Sequence, residues 1–167
     1  TWDVRELSTN SLGNCVIGGD GYDSIHLKSS MKLVFTYSGD DLITKYPYEV
    51  YSPKYITAGN GDDFIDSGDG NDVLYGDDGN DEIYSGNGND ELYGGDGNDE
   101  LYGSSGNDYL NGGNGIDIMH GDVGNDIYVV DNSSDTVKEN YSGVLGGIDT
   151  IQASVTYTAP SNVENIT

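Results

Sequence analysis

From residue 58 to residue 129 the chain repeats one nine-residue unit eight times. The copies read AGNGDDFID, SGDGNDVLY, GDDGNDEIY, SGNGNDELY, GGDGNDELY, GSSGNDYLN, GGNGIDIMH and GDVGNDIYV. The eighth place carries the apolar signal, as Ile65, Leu74, Ile83, Leu92, Leu101, Leu110, Met119 and finally Tyr128. Place four is always Gly and place six always Asp. A unit with one kept apolar residue can bury it only against neighbouring copies, so a strict period of nine predicts a stacked, all-β solenoid. Places one to six are predicted as a loop and places seven to nine as a short strand. Glycine falls where tight turns need positive φ. Asx-Gly pairs also mark hairpins, but a hairpin meander needs strands longer than three residues.

The same register extends outward in weaker form. Residues 18–26 make a full unit and residues 36–44 a partial one. Residues 27–35 keep Val34 at the core place but put Lys32 at place six. Residues 49–57 keep Ile56 and put Lys54 there, and residues 9–17 keep Val16 with Asn14 there. Residues 45–48 are then an insertion. Downstream, Asp135 and Val137 stay in register without the glycines. Gly147, Asp149 and Ile151 match places four, six and eight of one further degenerate turn. The reading is one folded domain, with a continuous solenoid from about residue 9 to residue 138. Residues 1–17 form an N-terminal cap and first degenerate turn. Residues 18–57 are degenerate turns, 58–129 the regular repeats, and 130–167 a C-terminal cap. Caps are needed because a solenoid otherwise ends in an open edge, and Trp2, Val4 and Leu7 are the N-terminal candidates.

Composition names the partner class. Thirty acidic residues against six basic ones give a formal charge of −24, and no basic residue lies between 58 and 137. Such a polyanion repels nucleic acid and anionic membranes, and its natural partner is a cation. Acidic, Gly-rich chains are often disordered, which is the expectation for the metal-free state; disorder does not require a nine-residue register. The single Cys15 excludes an internal disulfide and is expected as an inert strand residue. No apolar run approaches the ~20 residues of a membrane helix. The chain starts without Met, shows no signal peptide and stops abruptly, and it reads as a piece of something longer.

The nonapeptide GGxGxDxUx resembles the calcium-binding repeat of the RTX (repeats-in-toxin) family, and the resemblance covers most of the chain. It implies a right-handed parallel β-roll, two nonapeptides per coil, with calcium between loops of successive coils. It further implies that places two, four and six of one loop share an ion with places one, three and five of the loop one coil later. In one column of loops this sets Gly19, Gly21 and Asp23 against Asp40, and Gly39 and Asp41 against Ala58, Asn60 and Asp62. Next, Gly59, Gly61 and Asp63 face Gly76, Asp78 and Asn80. Asp77, Gly79 and Asp81 face Gly94, Asp96 and Asn98, and Gly95, Gly97 and Asp99 face Gly112, Asn114 and Ile116. In the other column Gly68, Gly70 and Asp72 face Ser85, Asn87 and Asn89. Gly86, Gly88 and Asp90 face Gly103, Ser105 and Asn107. Ser104, Gly106 and Asp108 face Gly121, Val123 and Asn125. Gly113, Gly115 and Asp117, and Asp126, are candidates for partial sites at the ends.

Five full intervals in one column and three in the other predict roughly eight ions. Eight divalent ions would leave about −8 of the −24. Six oxygens, mostly carbonyl, suit Ca²⁺ better than Mg²⁺ or Zn²⁺. No stretch matches an EF-hand. Lys32 is expected to face Glu49, and Lys54 to face Asp69 and Asn71, each ammonium replacing an ion; solvated surface lysines are the alternative. One aliphatic side chain per unit cannot offset the ordering of nine residues, so ion binding is expected to drive folding.

Tyr75 is predicted to stack over Tyr93 and Tyr84 over Tyr102, as structural ladders or as a flat sugar-binding platform. His26 and His120 are expected at the surface. HExxH, GxSxG and a phosphate-binding loop are missing, and the carboxylate pairs recur at every turn, so the chain reads as a non-enzyme. The resemblance implies export by type I secretion machinery and an extracellular or cell-surface location. The reading is a module that folds on calcium after secretion, beside flanking domains of a larger bacterial protein. An adhesin is favoured. The C-terminal roll of a toxin, protease or lipase, and a polysaccharide-binding module, remain alternatives.

Overall fold

The computed structural model describes residues 15–27, 33–45, 52–141, 143 and 145–167. Trp2, Val4, Leu7, Asn14, Lys32 and Glu49 lie outside these residues. The described residues form sixteen strands, of which β1 to β15 alternate between two faces and β16 joins the face of β15. They are β1 Cys15–Ile17, β2 Ser24–Leu27, β3 Leu33–Phe35, β4 Leu42–Lys45, β5 Tyr55–Asn60, β6 Phe64–Asp66, β7 Val73–Asp78 and β8 Glu82–Tyr84. They continue as β9 Glu91–Asp96, β10 Glu100–Tyr102, β11 Tyr109–Asn114, β12 Ile118–His120, β13 Ile127–Val130, β14 Thr136–Lys138, β15 Thr150–Ala153 and β16 Asn165–Ile166. Odd strands and β16 form a nine-stranded sheet, and even strands β2 to β14 a seven-stranded one. Every pairing is parallel. The result is a β-solenoid of about seven turns, two nonapeptides per turn. No helix among the described residues is long and apolar enough to cross a membrane.

Register follows the repeat. Glu100 pairs with Ile118, eighteen residues on. The step becomes 22 where Leu42 pairs with Phe64 and Leu33 with Tyr55, which accommodates the four inserted residues between β4 and β5. It becomes 23 where Ile127 pairs with Thr150. The stack thus continues past residue 138 into the further degenerate turn that Gly147, Asp149 and Ile151 marked in the sequence. Ile151 enters the core at place eight of the further turn, fully buried.

The core is the column of eighth places, from Ile25 through Leu92 and Leu101 to Tyr128, Val137 and Ile151. Each fully buried aliphatic side chain is worth roughly 1.5–3 kcal/mol. Ala153, Val155, Tyr157, Ala159 and Val163 pack against the end of this column. Tyr157 Oη donates to Asp135 O at 3.0 Å, fastening the C-terminal segment across the final turns.

The three-residue strands expected from the repeat appear in the seven-stranded sheet as β6, β8, β10, β12 and β14. The nine-stranded sheet differs, because β5, β7, β9 and β11 run six residues, through place three of the next unit. There the early loop pairs across coils, as Asp77 with Gly95 and Asp78 with Asp96. In the other column only place three bridges, as Asn87 with Ser105.

Candidate metal centre

Place six turns inward. The aspartates there are buried, and one carboxylate oxygen of each joins a ladder along the roll. Asp81 Oδ1 accepts the Asp63 N–H at 2.8 Å, Asp90 Oδ1 that of Asp72 at 2.7 Å, and Asp117 Oδ1 that of Asp99 at 2.9 Å. The second oxygen has no hydrogen-bond partner in Asp41, Asp63, Asp72, Asp81, Asp90, Asp99, Asp108, Asp117, Asp126 and Asp149. A buried, unpartnered carboxylate oxygen is costly unless a cation or a proton neutralises it.

The electrostatics show the same need. Burial first, and then the charges of neighbouring aspartates, push Asp63 and Asp108 up to about 8. Asp99, Asp117 and Asp126 rise to about 7, and Asp81 and Asp90 to about 6, with burial the leading cause. These acids resist ionising in the folded chain without a counter-charge.

Where place one is glycine it lies against the orphaned oxygen, whereas Ala58, Ser67 and Ser85 hold the same place with a side chain. A Cβ at Gly94 or Gly112 would collide with Oδ2 of Asp99 or Asp117 in the same unit. Place four admits only glycine. Gly97 has φ of 150°, and a Cβ there would strike the Gly79 carbonyl oxygen one coil back. Place two is more tolerant: Asp77, Ser104 and Asp122 hold φ of 79°, 72° and 71° there. Hard oxygen donors, space beside them and uncompensated negative charge fit a hard divalent cation such as calcium.

Places three and five line the exposed rim. Asn80 Oδ1 accepts the Asn98 N–H at 2.9 Å, and Asn107 Oδ1 the Asn125 N–H at 2.8 Å. Asn114 Nδ2 donates to Asp96 Oδ1 at 2.7 Å. The structure therefore separates the predicted ligands. Place-six carboxylates converge on the interior, whereas these rim side chains tie coil to coil.

The ends of the row differ. Asp23 Oδ2 accepts the Gly19 N–H at 2.7 Å, so it is not orphaned. Asn132 Nδ2 donates to Gly115 O, which occupies the interval after the unit at 112. Lys54 is buried at the aspartate place, its Nζ donating to Ser52 O at 3.2 Å and its N–H to Asp72 Oδ1 at 2.8 Å. Its charge offsets part of the upward push that burial exerts on Asp72.

Glu139 was missed as a candidate. It is buried, it accepts a hydrogen bond from Tyr128 Oη, and its Oε2 has no partner. Burial, and then the charges of Asp149 and Asp126, push it up to about 9. Two sequence signals were available: Tyr128 breaks the aliphatic series, and Glu139 stands eighteen residues after Gly121.

Outside the loops, Tyr75 stacks on Tyr93 with centroids 4.7 Å apart, and Tyr84 on Tyr102 at 4.3 Å, as the ninth-place register predicts. His120 departs from the surface position expected of it. It is buried, stacked on Tyr102 at 4.4 Å and 3.6 Å from Glu100, and burial lowers its pKa. The ladder above and Lys138 beside it, at 3.4 Å, cover the ring.

A family model described as the RTX calcium-binding nonapeptide repeat matches in four overlapping copies, at residues 57–92, 75–110, 93–128 and 102–137. Neither a curated protein nor a solved structure matches the chain. Repeats of that family bind calcium and form a structural module. With its inward aspartates and its glycine-only place four, the repeat region of this chain, residues 57–137, belongs to the RTX calcium-binding nonapeptide family.

Proposed function

We propose that this chain is a calcium-folded module of a larger secreted or surface-attached bacterial protein, and that it serves as a rigid extracellular spacer or docking segment. The observation that carries this reading is the row of buried, unpartnered Asp Oδ2 atoms running from Asp41 to Asp126. Calcium bound there supplies the positive charge and the oxygen coordination that the fold itself lacks. Asp63, Asp81 and Asp99 in one column, and Asp72, Asp90 and Asp108 in the other, would hold it. About eight ions fill the regular intervals. The aspartates hold adjacent coils in register through Oδ1 and leave Oδ2 for the ion. The glycines at place four let the coils approach closely enough for both.

Because each turn contributes little core, folding and binding are one process. Sites of this type in extracellular modules work at roughly 0.1–1 mM calcium. The chain would stay loose at cytosolic calcium and fold on export, in keeping with type I secretion. An adhesin is the favoured parent, with a toxin or hydrolase as the alternative. The stacked tyrosines favour a second reading, a polysaccharide-binding face, which silence on a glycan array with calcium present would remove. A calcium titration followed by far-ultraviolet circular dichroism tests the main reading. Sheet signal should appear with a midpoint of roughly 0.1–1 mM. Saturation at cytosolic calcium would contradict export-coupled folding.

A further inference from the structure

In the last turn of the roll a carboxylate from outside the nonapeptide pattern, Glu139, joins two that stand at place six, Asp126 and Asp149. Asp126, Glu139 and Asp149 are all buried, and their carboxylate oxygens lie within 4.8 Å of one another. Asp126 Oδ2, Asp149 Oδ2 and Glu139 Oε2 have no hydrogen-bond partner. Space is kept for something beside them. A Cβ at Gly121 would collide with Tyr128 Oη and Asp126 Oδ2 and come within 2.7 Å of Glu139 Oε1. The charges acting on Glu139 are acidic on every side, from Asp149, Asp126, Asp122 and Glu164.

We propose that Asp126, Glu139 and Asp149 form a further calcium site, built from side-chain carboxylates and oriented by Tyr128, which locks the C-terminal segment onto the roll. Glu139 stands at place one of its turn, where the regular units have Gly, Ser or Ala. It brings a carboxylate to a place from which those units offer backbone or at most a serine hydroxyl. Tyr128 replaces the usual core aliphatic, and its hydroxyl fixes Glu139. Asp149 comes from beyond the five-residue excursion of the register and accepts the Asp126 N–H at 2.8 Å. The segment beyond fastens to the same place: Asn162 Nδ2 donates to Glu139 O at 3.1 Å, and the Asp149 N–H to Glu164 Oε2 at 2.9 Å. Three carboxylates and no nitrogen or sulfur ligand select a hard cation. An ion here would tie β13 to β15 and so protect the end of the stack.

The proposal rests on the reading of the roll as a calcium binder, and the test separates the two. Bound calcium is counted by native mass spectrometry, and amide exchange is followed in Thr150–Ala153. Glu139→Gln should lose one ion and speed exchange in Thr150–Ala153, while Glu91–Asp96 stays protected. Asp149→Asn keeps an oxygen for the Asp126 N–H, and it should give the same loss if Glu139→Gln fails to fold. An unchanged ion count in the variant that folds would overturn the site, since an amide mimics a carboxyl that is simply protonated. A wild-type chain with no calcium at all would instead overturn the reading of the whole roll.

Discussion

Gly97→Ala should unfold the middle of the roll at calcium concentrations that saturate the wild-type chain. Two costs act together at this position. The φ of 150° is strained for any residue with a Cβ. The added Cβ would also be driven into the Gly79 carbonyl oxygen, a backbone atom that no rotamer change can move. Strain and overpacking together are expected to cost roughly 2–5 kcal/mol. The carbonyls and aspartates on both sides of the distorted loop would lose their alignment, so the calcium midpoint should rise as well. Gly19→Ala is the matched control, because a Cβ there meets nothing within 4 Å. Urea unfolding at fixed calcium reads both variants. Equal stability of the two would show that place four does not need glycine.

Acidification should act in opposite directions with and without calcium. In the metal-free roll Asp63, Asp99 and Asp108 have folded-state pKa values of about 8, 7 and 8, all raised from 3.8. Raised folded values mean that the folded chain binds more protons than the unfolded one. The associated stability is fully present below about pH 4 and is lost as pH rises through about 6 to 8. A calcium-stripped sample should therefore gain sheet signal on going from pH 7.5 to 4.5. With calcium present the same protons compete for the ligand oxygens, so the midpoint concentration should rise as pH falls. Circular dichroism against pH, with and without calcium, checks both halves. A metal-free signal that falls on acidification would reverse the sign and refute the electrostatic argument.

The regular part of this fold was open to reading because each place in the repeat has one physical role. The eighth places became the core column, and the ninth-place tyrosines stacked in the expected pairs. The insertion after β4 followed from counting register alone. What stayed hidden depends on contacts between coils rather than on places within a unit. The shared N–H···Oδ1 ladder, which spends one oxygen of each aspartate and orphans the other, needs two coils to exist. The six-residue strands needed place three to pair across coils. His120 has an outward-facing register but is covered by Tyr102 and Lys138. Glu139 lies where the glycines cease, so only its distance from Gly121 marks it.

The central claim is that cations, not the apolar column, hold these coils together. The most direct measurement is the far-ultraviolet circular dichroism spectrum of the chain at pH 7.5, with millimolar calcium and after chelation with EGTA. The account predicts a sheet spectrum with calcium that collapses to that of a disordered chain on chelation and returns when calcium is restored. A sheet spectrum that survives chelation unchanged would contradict it.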